Sequence, residues 1–406
     1  MRILIVSQYY SPEPVPIPGA LAAELSARGH QVRVLTAFPN YPSGRIAEGY
    51  RQRWNHRERI AGVPVRRVPV FLSHSRNPLA RLANYASFGV SSVLASSYAR
   101  GADVVYVYAT QMTAAIGPSW WRRLSGTPYV LHVQDLWPES VTGSSMVRRG
   151  LPARVIDAVL TPWLRGIYRR AAGIVAIGPG MARLLVERGA SAGRVHSVFN
   201  WAPTVDAAPR RDPDATTGLT VMYAGNVGEM QDLETVMRAM HLVRDLEGLR
   251  LVVVGSGVAL DGVRRLAAQL DLDNVEFSGR IEQADMGPVY AGSDFQLVTL
   301  IDLPIFRVTV PSKLQSSLAG GIPVITTVAG DVSDLVDEHG LGLTSPPGDA
   351  EGLAETLRRA FAVTTTERTA MGARAREYYE QTMSLHSGVD RIEQILADAA
   401  SEENGN

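Results

Sequence analysis

The 406-residue sequence has no cysteine, which excludes a disulfide framework, a thiol nucleophile and a cysteine-ligated metal. Lysine is nearly absent too: among 40 basic residues only Lys313 is a lysine, and the rest are arginines. No apolar run approaches the ~20 residues that cross a bilayer. The opening MRILIVSQYYSPEP lacks the charged, apolar and small-residue succession of a signal peptide. The eight histidines are scattered without an HExxH pair, so a zinc site is not expected. There is neither a G-x-S-x-G elbow nor a Walker A loop. What remains fits a cytoplasmic enzyme without a zinc site, whose contact with a membrane, if any, is peripheral.

The composition, 46% hydrophobic and 20% charged, is that of a globular protein long enough for two domains. Net charge is zero, but the distribution is lopsided. Residues 1–200 carry 24 arginines against 9 acids, a net of +15, and the remainder carries 16 basic residues against 31 acids, a net of −15. Such a split points to separate tasks, and the positive half favours anionic lipid head groups or a phosphorylated acceptor. Its arginine pairs are dispersed rather than gathered into a basic aromatic stripe, so no nucleic acid is expected as a partner.

Short β-branched runs alternate with helical patterns along the whole chain. Strands are predicted at 3–6, 31–36, 65–70, 104–108, 129–133, 173–177 and 195–199. After a Pro- and Asp-rich linker at 202–218, a second set follows at 220–223, 251–254, 275–277, 295–299, 323–326 and 342–344. This alternation predicts an α/β protein of two doubly wound parallel sheets. The domains are 1–201 and 219–367, with a last helix at about 368–397 packing back on the first. Ligands are then expected at the carboxyl ends of the strands, in a cleft between the domains.

Four segments at such strand ends can carry chemistry. The loop from Gln8 to Gly19 leaves a central strand and enters a helix, whose free amide donors favour a phosphate. HVQDLWPES (132–140) ends a buried strand with a polar cluster: Asp135 or Glu139 is placed to accept a proton from an acceptor hydroxyl. Trp137 there either stacks on a sugar or belongs to the core, and Asp135 either acts or caps the next element. MYAGNVGEMQDLE (222–234) is strand, loop and helix, with Gly225 and Gly228 allowing close backbone approach to a diphosphate; VVVGSGVALDG (252–262) is a weaker version. In VTVPSKLQSSLAGGIPVI (308–325) the lone lysine starts a helix after Pro311 and Ser312, a natural partner for diphosphate. Arg280 and Arg307 are further cations for the same anion.

Taken together, QYYSPEP, RGHQVRVLTAFPNYPSGRI, HVQDLWPES, YAGNVGEMQDLE and PSKLQSSLAGGIPVI resemble glycosyltransferase family 4, in its bacterial polysaccharide and lipid-linked glycan branch, over roughly residues 1–362. The resemblance implies a GT-B fold, a nucleoside-diphosphate-sugar donor with UDP favoured, retention of configuration and no obligatory metal. It places Gly225, Asn226, Gly228 and Gln231 near the diphosphate, with Ser312, Lys313 and Arg307. Arg280 and Ile281 fall near the nucleobase. Gln134, Asp135 and Gly19 face the transferring sugar and the acceptor, joined on the acceptor side by Tyr10, Trp137 and Glu139. Two departures stand out: Val308 and Ser316 occupy positions where many members carry glutamates, the second of which binds the donor ribose. The expected activity is hexosyl transfer to a glycan, lipid-linked or small-molecule acceptor. The rivals are an acceptor-free epimerase or hydrolase of the same fold and a non-catalytic sugar-nucleotide-binding subunit.

Overall fold

The structure, a computed structural model, describes residues 1–72, 78–138, 151–202, 218–282 and 285–404. The chain divides into two compact units, Met1–Phe199 together with Gly388–Asn406, and Asn200–Ser387.

Unit 1 is built on β1 (Arg2–Ser7), β2 (Gln31–Ala37), β3 (His56–Ile60), β4 (Val63–Val68), β5 (Val104–Ala109), β6 (Tyr129–Val133), β7 (Gly173–Ala176) and β8 (Val195–Ser197), in the order β3-β4-β2-β1-β5-β6-β7-β8. Continuous apolar runs such as ILIV and VVYVY suit central parallel strands, which are buried on both faces; Ile3, Leu4, Ile5 and Val6 are all fully buried. Only β3 runs antiparallel, paired with β4 at the sheet edge. Its HRERI sequence alternates half-buried with exposed residues, the pattern of an edge strand, and a search for apolar runs passes over it.

From β1 the chain steps outward to β2, and from β4 it crosses over to β5 and then continues through β6, β7 and β8. The strand order therefore reverses between β1 and β5, which is where a doubly wound sheet opens a crevice. Crossovers of this kind are right-handed. The three that lead to β5, β6 and β7 step in one direction, so helices Pro78–Leu94, Ile116–Ser125 and Leu151–Arg170 cover one face. Helix Pro16–Ala27 connects β1 to β2 in the opposite sense and covers the other.

Unit 2 repeats the plan with β9 (Leu219–Ala224), β10 (Leu249–Val254), β11 (Val275–Gly279), β12 (Phe295–Val298), β13 (Val324–Thr326) and β14 (Gly342–Thr344), all parallel in the order β11-β10-β9-β12-β13-β14. Its switch point lies between β9 and β12. Helices at 286–291 and 331–339 lead into β12 and β14.

The single helix expected at 368–397 is two, Thr365–Thr382 and Leu385–Asn404. The first stays with unit 2, where the Arg374 Nε donates to the Gly340 carbonyl at 3.0 Å and the Arg376 guanidinium to that of Ala319. The second belongs to unit 1: Arg28 donates to Asp390 at 2.5 Å and to Glu393 at 2.8 Å. The change of unit thus falls at residues 387/388 rather than near 368. The first division, at 199/200, lies close to the expected one, and most of the expected linker (203–217) lies outside the described residues.

Helix Leu385–Asn404 buries Val389, Ile392, Ile395 and Leu396 almost completely. At about 1.5–3 kcal/mol for each such side chain, the four contribute roughly 6–12 kcal/mol, comparable with the ~5–15 kcal/mol that holds a whole domain folded. A chain truncated after Ser384 should therefore lose unit 1 while unit 2 stays folded. Limited proteolysis with mass spectrometry reads this directly: a surviving fragment from 1–199 would show that the helix is dispensable.

Candidate active site

A cavity of about 610 Å³ opens at the switch point of unit 2. Its floor is a close backbone crossing. Gly225 follows β9 with φ +140°, and Gly255 follows β10 with φ +141°, a region that favours glycine. A Cβ on Gly255 would stand 1.9 Å from the Gly225 carbonyl oxygen, and one on Gly257 2.2 Å from that of Val227. Hydrogen bonds from Gly225 N to Val254 O and from Val227 N to Ser256 O, both 2.9 Å, tie the two turns together. Above them Asn226 and Gln231 share a side-chain contact of 3.3 Å, and the Gln231 carbonyl oxygen accepts from Gly228 N at 3.0 Å.

Helix Ser312–Ala319 points its N-terminus at this floor. Pro311 precedes it without a side-chain cap, and its first turn has no acid, so the helix end offers unspent positive potential. Lys313 reaches back from the first turn: its Nζ donates to the Tyr223 hydroxyl at 2.7 Å and lies 4.4 Å from the centre of the same ring. The Tyr223 hydroxyl in turn donates to the Asn226 carbonyl. A Cβ at Gly225 would stand 2.5 Å from Lys313 Cε, so the glycine also makes room for the lysine stem. Burial pulls the Lys313 ammonium down to about 8, and among the described residues no Asp or Glu lines the cavity to restore it.

The cavity gathers Gly225, Asn226, Gln231, Arg280, Ile281, Ser312, Lys313 and Ser316 from the residues expected to hold a donor. Gly228 is set behind Gln231 and supports it through the bond just described. Arg307 does not line the cavity: Asp302 takes it in a two-pronged contact of 2.9 and 2.7 Å. Its charge is thus spent within its own loop. The sequence reading missed Tyr290, Met286, Gln296 and Ser256, which also line the cavity, and Tyr223, which positions the lysine. Burial raises the Tyr290 hydroxyl and Ser316 lies near enough to lower it in part, and both residues line the cavity, so two hydroxyls stand where a glutamate is common in similar sequences. Val308 sits in a short 3-10 turn away from the cavity.

In unit 1 the carboxyl ends of β1, β5 and β6 bring together a different set. Gln8 donates to Asn84 at 2.7 Å and accepts from Gln111, all three buried. His132 is wholly buried, bonded to the Tyr106 hydroxyl and pushed down to about 3 by burial, so it is neutral and belongs to the core. Two residues later the chain emerges. Gln134 is half-buried, with its N–H on the Ala109 carbonyl at 3.0 Å. Asp135 is exposed by surface area, yet surrounding protein replaces enough of its outer hydration to push its carboxyl up to about 6. Its charge also bears on Tyr108, which burial has already raised.

Three expected acceptor contacts need correcting or setting aside. Tyr10 and Trp137 are each only 2% exposed; Trp137 packs toward Tyr85 with ring centres 6.2 Å apart. Both aromatics fill the core under the strand ends and leave no face for a sugar. Glu139 lies outside the described residues. Gly19 sits in the first turns of helix Pro16–Ala27, where an added Cβ would meet nothing within 4 Å; the fold itself places no steric demand for glycine there. The loop before it is held down rather than open: Glu13 accepts from Tyr10 N at 3.0 Å and from Asn40 N and Tyr41 N at 2.8 Å. Pro16 and Pro18 remove two of the donors a helix start would offer.

Residues 17–201 match the family described as a glycosyl transferase 4-like domain, and residues 218–362 that described as glycosyl transferases group 1. The chain belongs to glycosyltransferase family 4. One relative of this glycosyltransferase is WcaI of Escherichia coli strain K12, named as a glycosyl transferase of colanic acid biosynthesis. The two are 28% identical over 402 residues, covering 94% of this chain and 96% of that protein. A GDP-mannose-dependent alpha-mannosyltransferase of Mycolicibacterium smegmatis is 27% identical over 397 residues, with 93% and 92% covered. Among solved structures, sucrose-phosphate synthase from Thermosynechococcus elongatus superposes with a TM-score of 0.70 at 18% identity, over 98% of this chain and 99% of that one. Anabaena HepE in complex with UDP gives 0.69 at 16% identity, over 98% and 100%. These likenesses show the GT-B fold of the glycosyltransferase.

An anion favours the protonated form of Lys313, so binding above pH 8 requires proton uptake by the free site. The affinity of the cavity for a nucleoside diphosphate should weaken above pH 8 by up to about tenfold per unit, while Lys313→Arg, which does not titrate there, should show no such fall. Titration calorimetry from pH 7 to 9.5 checks this. A flat wild-type profile would remove the amine from the phosphate site.

Proposed function

We propose that this glycosyltransferase moves a hexosyl group from a nucleoside-diphosphate-sugar to a hydroxyl of a bacterial surface-glycan acceptor, with retention of configuration and without an obligatory metal. The observation that carries the reading is the cavity of unit 2, where a lysine without a carboxylate partner, a helix N-terminus and a glycine turn converge. That is a cradle for a dianionic leaving group. Glycan biosynthesis is supported by the name of the colanic acid relative. A UDP-sugar remains the proposed donor. GDP-mannose is its specific rival, because two relatives are described as GDP-mannose-dependent.

In the proposed reaction the bond between the anomeric carbon and the diphosphate oxygen lengthens as Lys313 and the helix end take up the growing negative charge. The acceptor oxygen forms its bond on the same face. Its proton passes to a donor phosphate oxygen or to Asp135, whose raised carboxyl is basic enough near neutrality to take it. Ser316 and Tyr290 offer the ribose two hydroxyls in place of a carboxylate, a weaker acceptor set. The acceptor is a lipid-linked or other anionic glycan, in keeping with the positive charge of unit 1, and the protein is proposed to work at the inner membrane face. Among the described residues no helix is long and apolar enough to cross a membrane.

A calorimetric panel of UDP, GDP, dTDP and CMP against wild type and Lys313→Ala tests the donor half. One nucleoside diphosphate should bind, and the variant should lose at least about tenfold in affinity. Silence from all four in the wild type would favour a non-catalytic subunit. On the acceptor half, kcat/KM should fall about tenfold per unit below pH 6 if Asp135 takes the proton. Asp135→Asn should lose ~10²-fold or more together with that acid limb. An unaltered acid limb in the variant leaves the proton to the donor phosphate. Product NMR that shows an inverted anomeric carbon would overturn the stereochemical part.

A further inference from the structure

The exposed large hydrophobic side chains among the described residues include four aromatics, Tyr41, Trp54, Phe71 and Trp120. The first three stand along one edge of unit 1. Tyr41 lies just beyond the end of β2 and Phe71 just beyond that of β4. Trp54 lies just before β3; because β3 runs antiparallel, with His56 opposite Arg67, its start falls at the carboxyl end of β4. Tyr9, just past β1, brings its ring centre to 5.1 Å from that of Tyr41. The strands come in the order β3-β4-β2-β1, so the rings follow the carboxyl edge of the sheet on the flank away from Asp135. Three steps between these strands span about 14 Å. A single exposed hydrophobic residue is ordinary. A row of aromatics at the ligand-binding edge of a doubly wound sheet is not.

The backbone beneath the row is pinned. The Glu13 carboxylate, which takes the amides of Tyr10, Asn40 and Tyr41, fixes the loops after β1 and β2 against each other. The Gln52 side chain donates to the Val70 carbonyl at 3.0 Å and accepts from Val70 N at 2.7 Å, which joins the segments that carry Trp54 and Phe71. Phe71 N donates to the Ser87 hydroxyl at 2.8 Å, and the Phe71 carbonyl accepts from Asn84, the amide that also holds Gln8. Deeper still, the fully buried Arg67 donates to the carbonyls of Ser11 and Ala37 and to Glu58. A buried guanidinium is costly unless its donors are engaged, and here they tie the loops after β1 and β2 to the edge strand. The loops are thus immobilised while their rings stay in solvent: Tyr41 and Trp54 are each 47% exposed and Phe71 53%. Fixed loops that present uncovered rings form a preorganised binding surface.

We propose that this row forms outer acceptor subsites for an oligosaccharide several sugars long, whose reacting end lies toward Asp135. The inference rests on the transferase reading and adds to it the length of the acceptor and the residues that select for that length. The C–H bonds of a pyranose give its ring an apolar face that lies flat on an aromatic side chain, while the hydroxyls at its rim need hydrogen bonds. Both are supplied, because the loops that carry the rings also expose Ser43, Arg45, Arg53 and Asn55. A protein partner would call for a contiguous apolar patch. Among the described residues, however, the exposed large aliphatic side chains of unit 1 all lie on helices and none accompanies the rings. The row is too long for one sugar and suits a chain of them. From β1 the same edge continues through β5 to β6, which delivers Asp135.

The test is saturation-transfer NMR of the full chain with linear glucose and mannose oligomers, each a ladder from the monosaccharide to the hexasaccharide. The probes suit because stacking reads the C–H face that pyranoses share. W54A/F71A is compared with the conservative W54Y/F71Y, with the thermal midpoint as the folding control and nucleoside-diphosphate binding measured separately. In the wild type, affinity for at least one ladder should rise about tenfold or more from monosaccharide to tetrasaccharide and then level off. W54A/F71A should lose that rise and W54Y/F71Y should keep most of it. Four results overturn the proposal: equal affinity along both ladders, binding of no member of either, a folded W54A/F71A whose rise matches the wild type, or a dimer in the absence of sugar that W54A/F71A dissociates. A wild type that ignores every nucleoside diphosphate but shows the rise would count against the transferase reading alone. One that binds a nucleoside diphosphate and no sugar chain would remove the subsites alone.

Discussion

A primary amine drawn out of water, laid on a phenol ring and given no carboxylate is electrostatically incomplete, and unit 2 is arranged around that incompleteness. Lys313 is the amine, Tyr223 the ring. Had an aspartate or glutamate lined the cavity, an ion pair would have closed the site, as Asp302 closes Arg307. The helix that carries Lys313 adds its own uncompensated end, and the glycines at 225 and 255 let two backbone turns approach closely enough to form a floor. Each feature costs some stability by itself, and one anion would satisfy them together.

Unit 1 uses the same topological opportunity with different chemistry. Its strand order also reverses at the central strand, but the side chains there are amides: Gln8, Asn84 and Gln111 hold one another below the surface. The neutral His132 lies under Tyr108, with the rings 5.8 Å apart and edge to face. Asp135 is the titratable group that emerges just beyond them, and its raised carboxyl comes from crowding rather than from a neighbouring charge. A single architecture thus presents a cationic floor in one unit and a mostly uncharged one in the other.

The parallel strands and the residues gathered around the cavity of unit 2 were legible because their signals are local. Apolar runs report burial on both faces, and glycine or a lone lysine at a strand end reports a backbone or charge requirement. The aromatic assignments failed for the converse reason. Tyr10 and Trp137 stand beside polar neighbours at strand ends, and nothing in the sequence says whether the ring turns in or out; packing against the sheet turned both inward. Arg307 was misjudged although its partner, Asp302, is five residues away, because the pairing depends on the turn between them. Tyr223 and Tyr290 are reached only in space: their partners Lys313 and Ser316 lie far along the chain. The break at Met383 and Ser384 was hidden because helical composition continues across it.

The near-total replacement of lysine by arginine has a practical side. Guanidinium groups do not react with acylating reagents under mild conditions, so Lys313 and the amino terminus are the amines of this sequence. The terminal amine of Met1 is engaged with His30 at 3.2 Å. Lys313, which sheds its proton more readily than an ordinary lysine, offers more free amine at mildly basic pH. The protein therefore carries a built-in address for covalent labelling at the floor of its cavity, where a fluorophore or an affinity handle would report directly on occupancy.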